Sequence, residues 1–340
     1  TFIVPVIPHE EYFRALGEEG HALIPRWLDQ RHVLVLDEKA AAYHKHWQRL
    51  LQILRDPPPR KPVPFAVPCL PDEFVHRHDV ERRILDRLLD DDGLSPRAGR
   101  TALVGTGGFG KTTLAQAVCS TPEVIEAFKD GVLWLELGEE ANEATVTQKL
   151  NEAVEALGGV SANTQSEASR RLADLLRERD CLIILDDIWQ GYLIESFLTD
   201  AEDSERPYKG RRAWLLTARE PAEVSRYLTE AAGLIEVGEM ETSEAAELLA
   251  KYVTNDIYPL STSQLDELAA LATQLGEWPL LIVLSGYELR QELVLEAAFE
   301  KALIWLREGL EEEGFTTFDR GSDTDPAKWR HQALSANVAL

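Results

Sequence analysis

Residues 104–113 read Val-Gly-Thr-Gly-Gly-Phe-Gly-Lys-Thr-Thr, and no other stretch of the chain restricts its fold so tightly. Gly105, Gly110, Lys111 and Thr112 fill the G-x-x-x-x-G-K-[ST] phosphate-loop pattern, with further glycines at Gly107 and Gly108. The flanks are those the motif requires. Thr101-Ala-Leu-Val104 enters as an apolar strand, and Thr113-Leu-Ala-Gln-Ala-Val-Cys119 leaves as a helix. Glycines let the backbone curl until successive N–H groups face inward at phosphate oxygens. Lys111 adds a point charge for the β- and γ-phosphates, Thr112 a hydroxyl for Mg²⁺, and the helix start its partial positive charge. Such a chain is expected to bind ATP or ADP.

The 340 residues are 44% hydrophobic and 28% charged, enough for two or three domains with real cores. No apolar run approaches the roughly 20 residues that span a bilayer, and no signal peptide opens the chain. A net charge of −24 argues against a general nucleic-acid surface. The expectation is therefore a cytoplasmic protein without nucleic-acid or membrane partners. Cys69, Cys119 and Cys181 have no metal-ligand spacing and suit a reducing compartment as small apolar residues. The pairs His44/His46 and His76/His78 are separated by two positions. On a helix such residues do not share a face, so histidine metal binding is not expected.

Residues 1–56 form a first unit. Phe2–Ile7 and Val33–Leu36 read as short buried strands, and Tyr43, Trp47, Leu50, Leu51 and Leu54 mark one face of an amphipathic helix. Residues 57–71, which hold seven of the chain's 17 prolines, read as an extended spacer and a domain boundary. Over 72–238 strands alternate with helices. Strands are expected at 101–104, 132–137, 181–185, 213–217 and 234–237, with helices near 112–119, 143–157 and 166–178. That alternation predicts a three-layer α/β fold around a parallel sheet. Over 239–310 strand signals vanish. A helix capped by Thr242 or Ser243 reaches Val253, and a second carries Leu265, Leu268, Ala272 and Leu275 and stops at Gly276. A third starts at Pro279 and covers Leu280–Leu284, and a fourth runs from about Val294 to Glu308. This is a small all-α bundle, followed at 311–340 by a flexible stretch and a last helix near Pro326.

Cys181-Leu-Ile-Ile-Leu-Asp-Asp-Ile-Trp189 is an apolar strand ending in two carboxylates. In isolation two acids can simply cap a turn. Downstream of a phosphate loop, Asp186 is placed to hold Mg²⁺ and Asp187 to orient or deprotonate the attacking water. Arg219 ends a further apolar strand, Arg212–Ala218. A cation there either reaches the γ-phosphate or stays solvated, and residue type leaves both open.

The order of these motifs, followed by a bundle containing Gly276-Glu-Trp-Pro-Leu-Leu281, resembles the NB-ARC family over about Leu70–Leu340. These are STAND-class, NLR-like signalling ATPases of plant disease-resistance proteins, the animal apoptosome scaffold and bacterial relatives. The resemblance implies a nucleotide-binding domain, a helical domain, and at 311–340 the start of a winged-helix domain. It assigns Lys111 and Thr112 to the phosphates and metal, Asp186 and Asp187 to metal and catalysis, and Arg219 to sensing the terminal phosphate. With Gly107, Gly108, Gly110 and Thr113 of the loop, Phe74, Val75, Arg77 and Pro279 are implied around the nucleotide. Pro279 would pack on adenine, with Val75 and Arg77 against the base. Two departures stand out: His76 replaces a usual glycine, and Glu277-Trp278 replaces the usual residues before Pro279.

The amino-terminal unit is similar to the end of a TIR domain, with Ile3–Val6, Arg31–Asp37 and the Tyr43–Leu54 helix as its last elements. TIR enzymes cleave NAD through a glutamate on an earlier helix, outside the present sequence, so NAD cleavage would come only from residues not in this chain. The implied function is a slow ATPase acting as a switch, ADP-bound at rest and self-associating with ATP, with a sensor domain beyond the present sequence. An AAA+-like remodelling ATPase and a non-hydrolysing ADP-binding module remain alternatives.

Overall fold

In the computed structural model, the described residues are 6–8, 34–36, 63–89, 99–198, 210–228, 233–253, 260–296 and 298–313. The chain divides into Thr1–Val63 and Pro64–Leu340. In the first unit β1 (Val6–Pro8) and β2 (Leu34–Leu36) pair in parallel, with Val6 opposite Leu34. The helix expected over Tyr43–Leu54 and the segment after Glu313 lie outside the described residues.

The second unit holds α1 (His78–Leu89), β3 (Gly99–Val104), α2 (Lys111–Cys119), α3 (Pro122–Ala127) and β4 (Gly131–Glu136). Then come α4 (Glu143–Ala156), α5 (Gln165–Leu176), β5 (Cys181–Ile188), β6 (Arg212–Ala218), α6 (Pro221–Val224) and β7 (Leu234–Glu236). The strands form one sheet in the order β4-β5-β6-β3-β7, every pairing parallel. Both faces are covered, which is why the strands read as unbroken apolar runs rather than alternating ones. On one side Ala102, Val104, Ile183 and Leu185 pack with Leu150 and Val154 of α4 and Leu172 of α5. On the other, Leu103, Ile184 and Leu215 pack with Ile84 of α1, Leu114 and Val118 of α2 and Phe128. The five expected strands are all present, with ends shifted by no more than three residues.

Residues 64–66 do not run free. Val132 N–H donates to the Pro64 carbonyl at 2.8 Å, and Ala66 N–H donates to the Val132 carbonyl at 3.1 Å, so this stretch bridges to edge strand β4. Cys119 and Cys181 are free and fully buried in the sheet layers. Burial pushes the Cys181 thiol up to about 12, so it stays protonated and inert.

Beyond β7, α7 (Thr242–Val253), α8 (Thr262–Gln274), α9 (Pro279–Glu296) and α10 (Phe299–Glu313) bury a separate core around Leu249, Leu268, Leu271, Ile282 and Leu306. Ser261 and Gln264 close a reciprocal capping box at the start of α8. Its end is a Schellman motif: Glu277 N–H donates to the Ala272 carbonyl and Gly276 N–H to that of Thr273. The third expected helix is longer than its apolar Leu280–Leu284 run, extending to Glu296. The fourth begins at Phe299, not near Val294. Helix α1 was not anticipated, although Val80, Ile84 and Leu88 recur at i, i+4 and i+8. Among the described residues no helix is long and apolar enough to cross a membrane.

Candidate nucleotide site

Strand order builds the site. Strand β6 lies between β3, which carries the phosphate loop, and β5, which carries the two aspartates. The carboxyl ends of all three therefore converge, as ligand sites do in open parallel sheets. One residue more is used on β5 than on β6 between the pairs Leu185–Leu216 and Ile188–Ala218. The resulting bulge falls on Asp186 and Asp187, and Asp187 takes φ 55°, a left-handed conformation that aspartate tolerates better than most residues. Asp187 N–H is held by the Thr217 hydroxyl at 2.9 Å.

Asp186 Oδ1 accepts from the hydroxyls of Thr217 at 2.6 Å and Thr112 at 2.9 Å. Only 3% exposed, this carboxylate lies beneath the cleft, not in its wall. Burial pushes its carboxyl up, partly countered by the two hydroxyls. The donors offered by Thr112 and Asp186 are all hard oxygens, which fits Mg²⁺, an ion that keeps several waters and takes few protein ligands. A buried carboxylate reaching the ion through water suits that preference.

The phosphate loop ends at Gly110, φ 82°, immediately before α2. A Cβ at Gly110 would meet nothing within 4 Å, so glycine is needed there for the backbone angle alone. At Gly108, also φ 82°, a Cβ would lie 2.7 Å from Leu280 Cβ and 2.8 Å from Trp278 Nε1. The bundle thus sits directly on the loop. Leu280 N–H donates to the Gly108 carbonyl at 3.2 Å, and Trp278 Nε1 to the Gly107 carbonyl at 3.1 Å. The Trp278 ring also lies 5.9 Å from that of Phe109.

A cleft of about 420 Å³ opens over the loop. Phe74, Val75, Arg77, Gly107, Gly108, Gly110, Lys111, Thr112, Thr113, Asp187, Arg219 and Pro279 all line it. Apart from the underlying Asp186, every residue expected at the nucleotide is therefore in its wall. Met240, Leu248, Tyr252, Leu280 and Val283 complete an apolar end built from the bundle. Arg77 is nearly buried and works as a strap. Its guanidinium donates to the carbonyls of Phe109 in the loop and of Gly238 and Glu239 at the junction with the bundle. The Arg219 guanidinium lies over the Trp189 ring, 4.0 Å from its centroid, a cation–π contact that fixes its direction.

Three contributors to the site escaped sequence reading: Thr217, Trp278 and Trp189. Thr217 is detectable only once β6 is known to neighbour β5. Trp278 was visible as a departure before Pro279 but carried no partner.

Lys111 Nζ donates to the carbonyls of Gly105 at 2.6 Å and Thr106 at 3.0 Å. Burial, and then the Arg219 charge, hold its ammonium down at about 8, against the pull of Asp187 and Asp186. Arriving phosphate oxygens favour the charged form and raise that value again. Below pH 8 the lysine is charged with or without ligand, so affinity should be flat. Above it, binding must take up a proton, and ADP affinity should fall by up to about tenfold per pH unit. Calorimetric titration between about pH 7 and 9.5 checks this, and constant affinity across the range would contradict the depressed value.

The NB-ARC domain family matches residues 77–257, more than half of the 340-residue chain. The chain belongs to the NB-ARC family. Its NB-ARC core carries the phosphate loop, the β5 aspartates and Arg219 on one P-loop sheet. An Arabidopsis thaliana protein named for disease resistance, RPP13-like protein 2, is 30% identical over 142 residues, 41% of this chain and 16% of that protein. The disease resistance protein RGA2 of Solanum bulbocastanum is 31% identical over 116 residues, 34% of this chain and 12% of that protein. The matched part is under a fifth of either relative's length. Among solved structures, the Walker-type ATPase of Pyrococcus abyssi is 15% identical with a TM-score of 0.47, covering 79% of this chain and 90% of that one. A likeness at that level is too remote to carry a functional comparison.

Proposed function

We propose that this NB-ARC segment is a nucleotide-gated switch of an NLR-like defence protein, at rest with ADP and self-associating with ATP. The observation that supports it most is the shared construction of the cleft. Phosphate-facing groups come from the α/β sheet, the apolar end comes from the bundle, and Trp278 and Leu280 bond the bundle to the loop. A ligand that rearranges the loop necessarily acts on the bundle's footing. It shifts the arrangement only by its differential affinity for the two states.

The residues divide the work. Lys111 and the loop N–H groups hold the β-phosphate, while Thr112 and Asp186 would hold Mg²⁺, whose charge screens the phosphates during attack. Asp187, aimed by the bulge, takes a proton from the attacking water. The water oxygen bonds to the γ-phosphorus as the bond from the β–γ bridging oxygen to that phosphorus breaks, releasing ADP and phosphate. Arg219 reads the γ-phosphate. In the whole protein the switch would act on an amino-terminal effector of TIR type and answer to a carboxy-terminal sensor, in the cytoplasm.

Arg219→Ala tests the reading. A charge-assisted hydrogen bond to phosphate contributes roughly 1.5–3 kcal/mol, a ten- to hundredfold effect. ATP affinity should drop by that factor and ADP affinity should hardly move. Equal losses for both nucleotides would make Arg219 structural and remove the sensor from the switch.

A further inference from the structure

The segment Phe74–His78 alternates inward and outward, with Val75 and Arg77 buried and His76 and His78 exposed. Helix α1 starts only at His78, so the helical-face argument against the pair His76/His78 does not apply. Instead the two rings stack, with centroids 5.5 Å apart and planes 4° from parallel. The edge of Phe74 packs on His76 at 4.9 Å between centroids. Glu81, one turn into α1, is 7% exposed and held at both oxygens. Its Oε1 accepts from Arg77 N–H at 2.7 Å, while Oε2 meets His76 Nδ1 at 2.9 Å. One ring nitrogen from each histidine and one Glu81 oxygen lie within 4.8 Å of one another.

We propose that His76, His78 and Glu81 form a binding site for a divalent transition-metal ion of the zinc type, separate from the Mg²⁺ at the phosphates. Two imidazoles and a carboxylate, with water in the remaining position, are a zinc-type donor set. Tetrahedral ligands at about 2.0–2.1 Å from an ion lie roughly 3.4 Å apart, so separations of 2.9–4.8 Å need only small side-chain movements. The carboxylate is already oriented by the Arg77 backbone, the outer-sphere hydrogen bond that aims a metal ligand. The ion replaces the His76–Glu81 hydrogen bond and fastens the start of α1. Arg77 follows directly, so the same ion steadies the strap between the phosphate loop and the bundle. The site stands on its own geometry, whether or not the switch reading holds.

The chain, stripped of metal with a chelator that is then removed, is titrated with Co²⁺ and followed by visible absorption. One equivalent should produce the intense bands of four-coordinate cobalt, and Zn²⁺ should bleach them. Because His76 and His78 are exposed, His76→Ala and His78→Ala leave the core untouched, and each should weaken Co²⁺ binding at least tenfold. Glu81→Gln keeps the bond to Arg77 N–H and should do the same, whereas His46→Ala should change nothing. Absence of the bands, or bands that survive in both histidine variants, would overturn the site.

Discussion

Lys111→Ala should lower ATP and ADP affinity by about a hundredfold, the largest loss of binding expected among the site residues. The ammonium is the charge that the phosphate loop brings to the β-phosphate, and both nucleotides carry that group. A charge-assisted contact is worth roughly 1.5–3 kcal/mol, and the partly buried position of Lys111 places it at the strong end. The fold should survive. Lys111 opens α2 without entering its buried face, which is made by Leu114, Ala115, Val118 and their neighbours. Calorimetry reads the affinity and a thermal melt reads the fold. Unchanged affinity in a folded variant would remove the phosphate loop from nucleotide binding.

Asp187→Asn should reduce ATP hydrolysis by about 10²–10⁴-fold, the range lost with a general base, and leave binding nearly intact. The substitution is well suited to its position. Asparagine accepts φ 55° as readily as aspartate, and the backbone bond from residue 187 to the Thr217 hydroxyl does not involve the side chain. Asp186 keeps both of its threonine partners. Turnover measured as phosphate release, beside a binding titration, separates the two roles. If the variant loses ATP outright instead, Asp187 belongs to ligand binding and the division of labour between the two acids is wrong.

Much of this site is legible in sequence because each part is local. Gly105–Thr113 carries its own strand and helix as context, and Cys181–Trp189 shows an apolar run ending in acids. What sequence withholds is adjacency. Nothing in Arg212–Ala218 says that this strand inserts between β3 and β5, yet that insertion brings Thr217 to Asp186 and sets Arg219 beside Lys111. The bulge at Asp187 is equally hidden, since one extra residue shows only against a partner strand. Trp278 reaches a carbonyl 171 positions away, a contact made by tertiary packing. For His76 and His78 the helical-face argument does not apply, because α1 starts only at His78 and the residues before a helix obey other spacing rules.

The central claim is that the γ-phosphate, not nucleotide as such, changes how the chain assembles. Asp187→Asn makes that measurable because ATP persists through the experiment. Its mass by size-exclusion chromatography with light scattering should rise above the monomer with Mg²⁺ and ATP. With Mg²⁺ and ADP it should stay monomeric, and adding Arg219→Ala should abolish the difference. Identical masses with both nucleotides, each shown to be bound, would contradict the account.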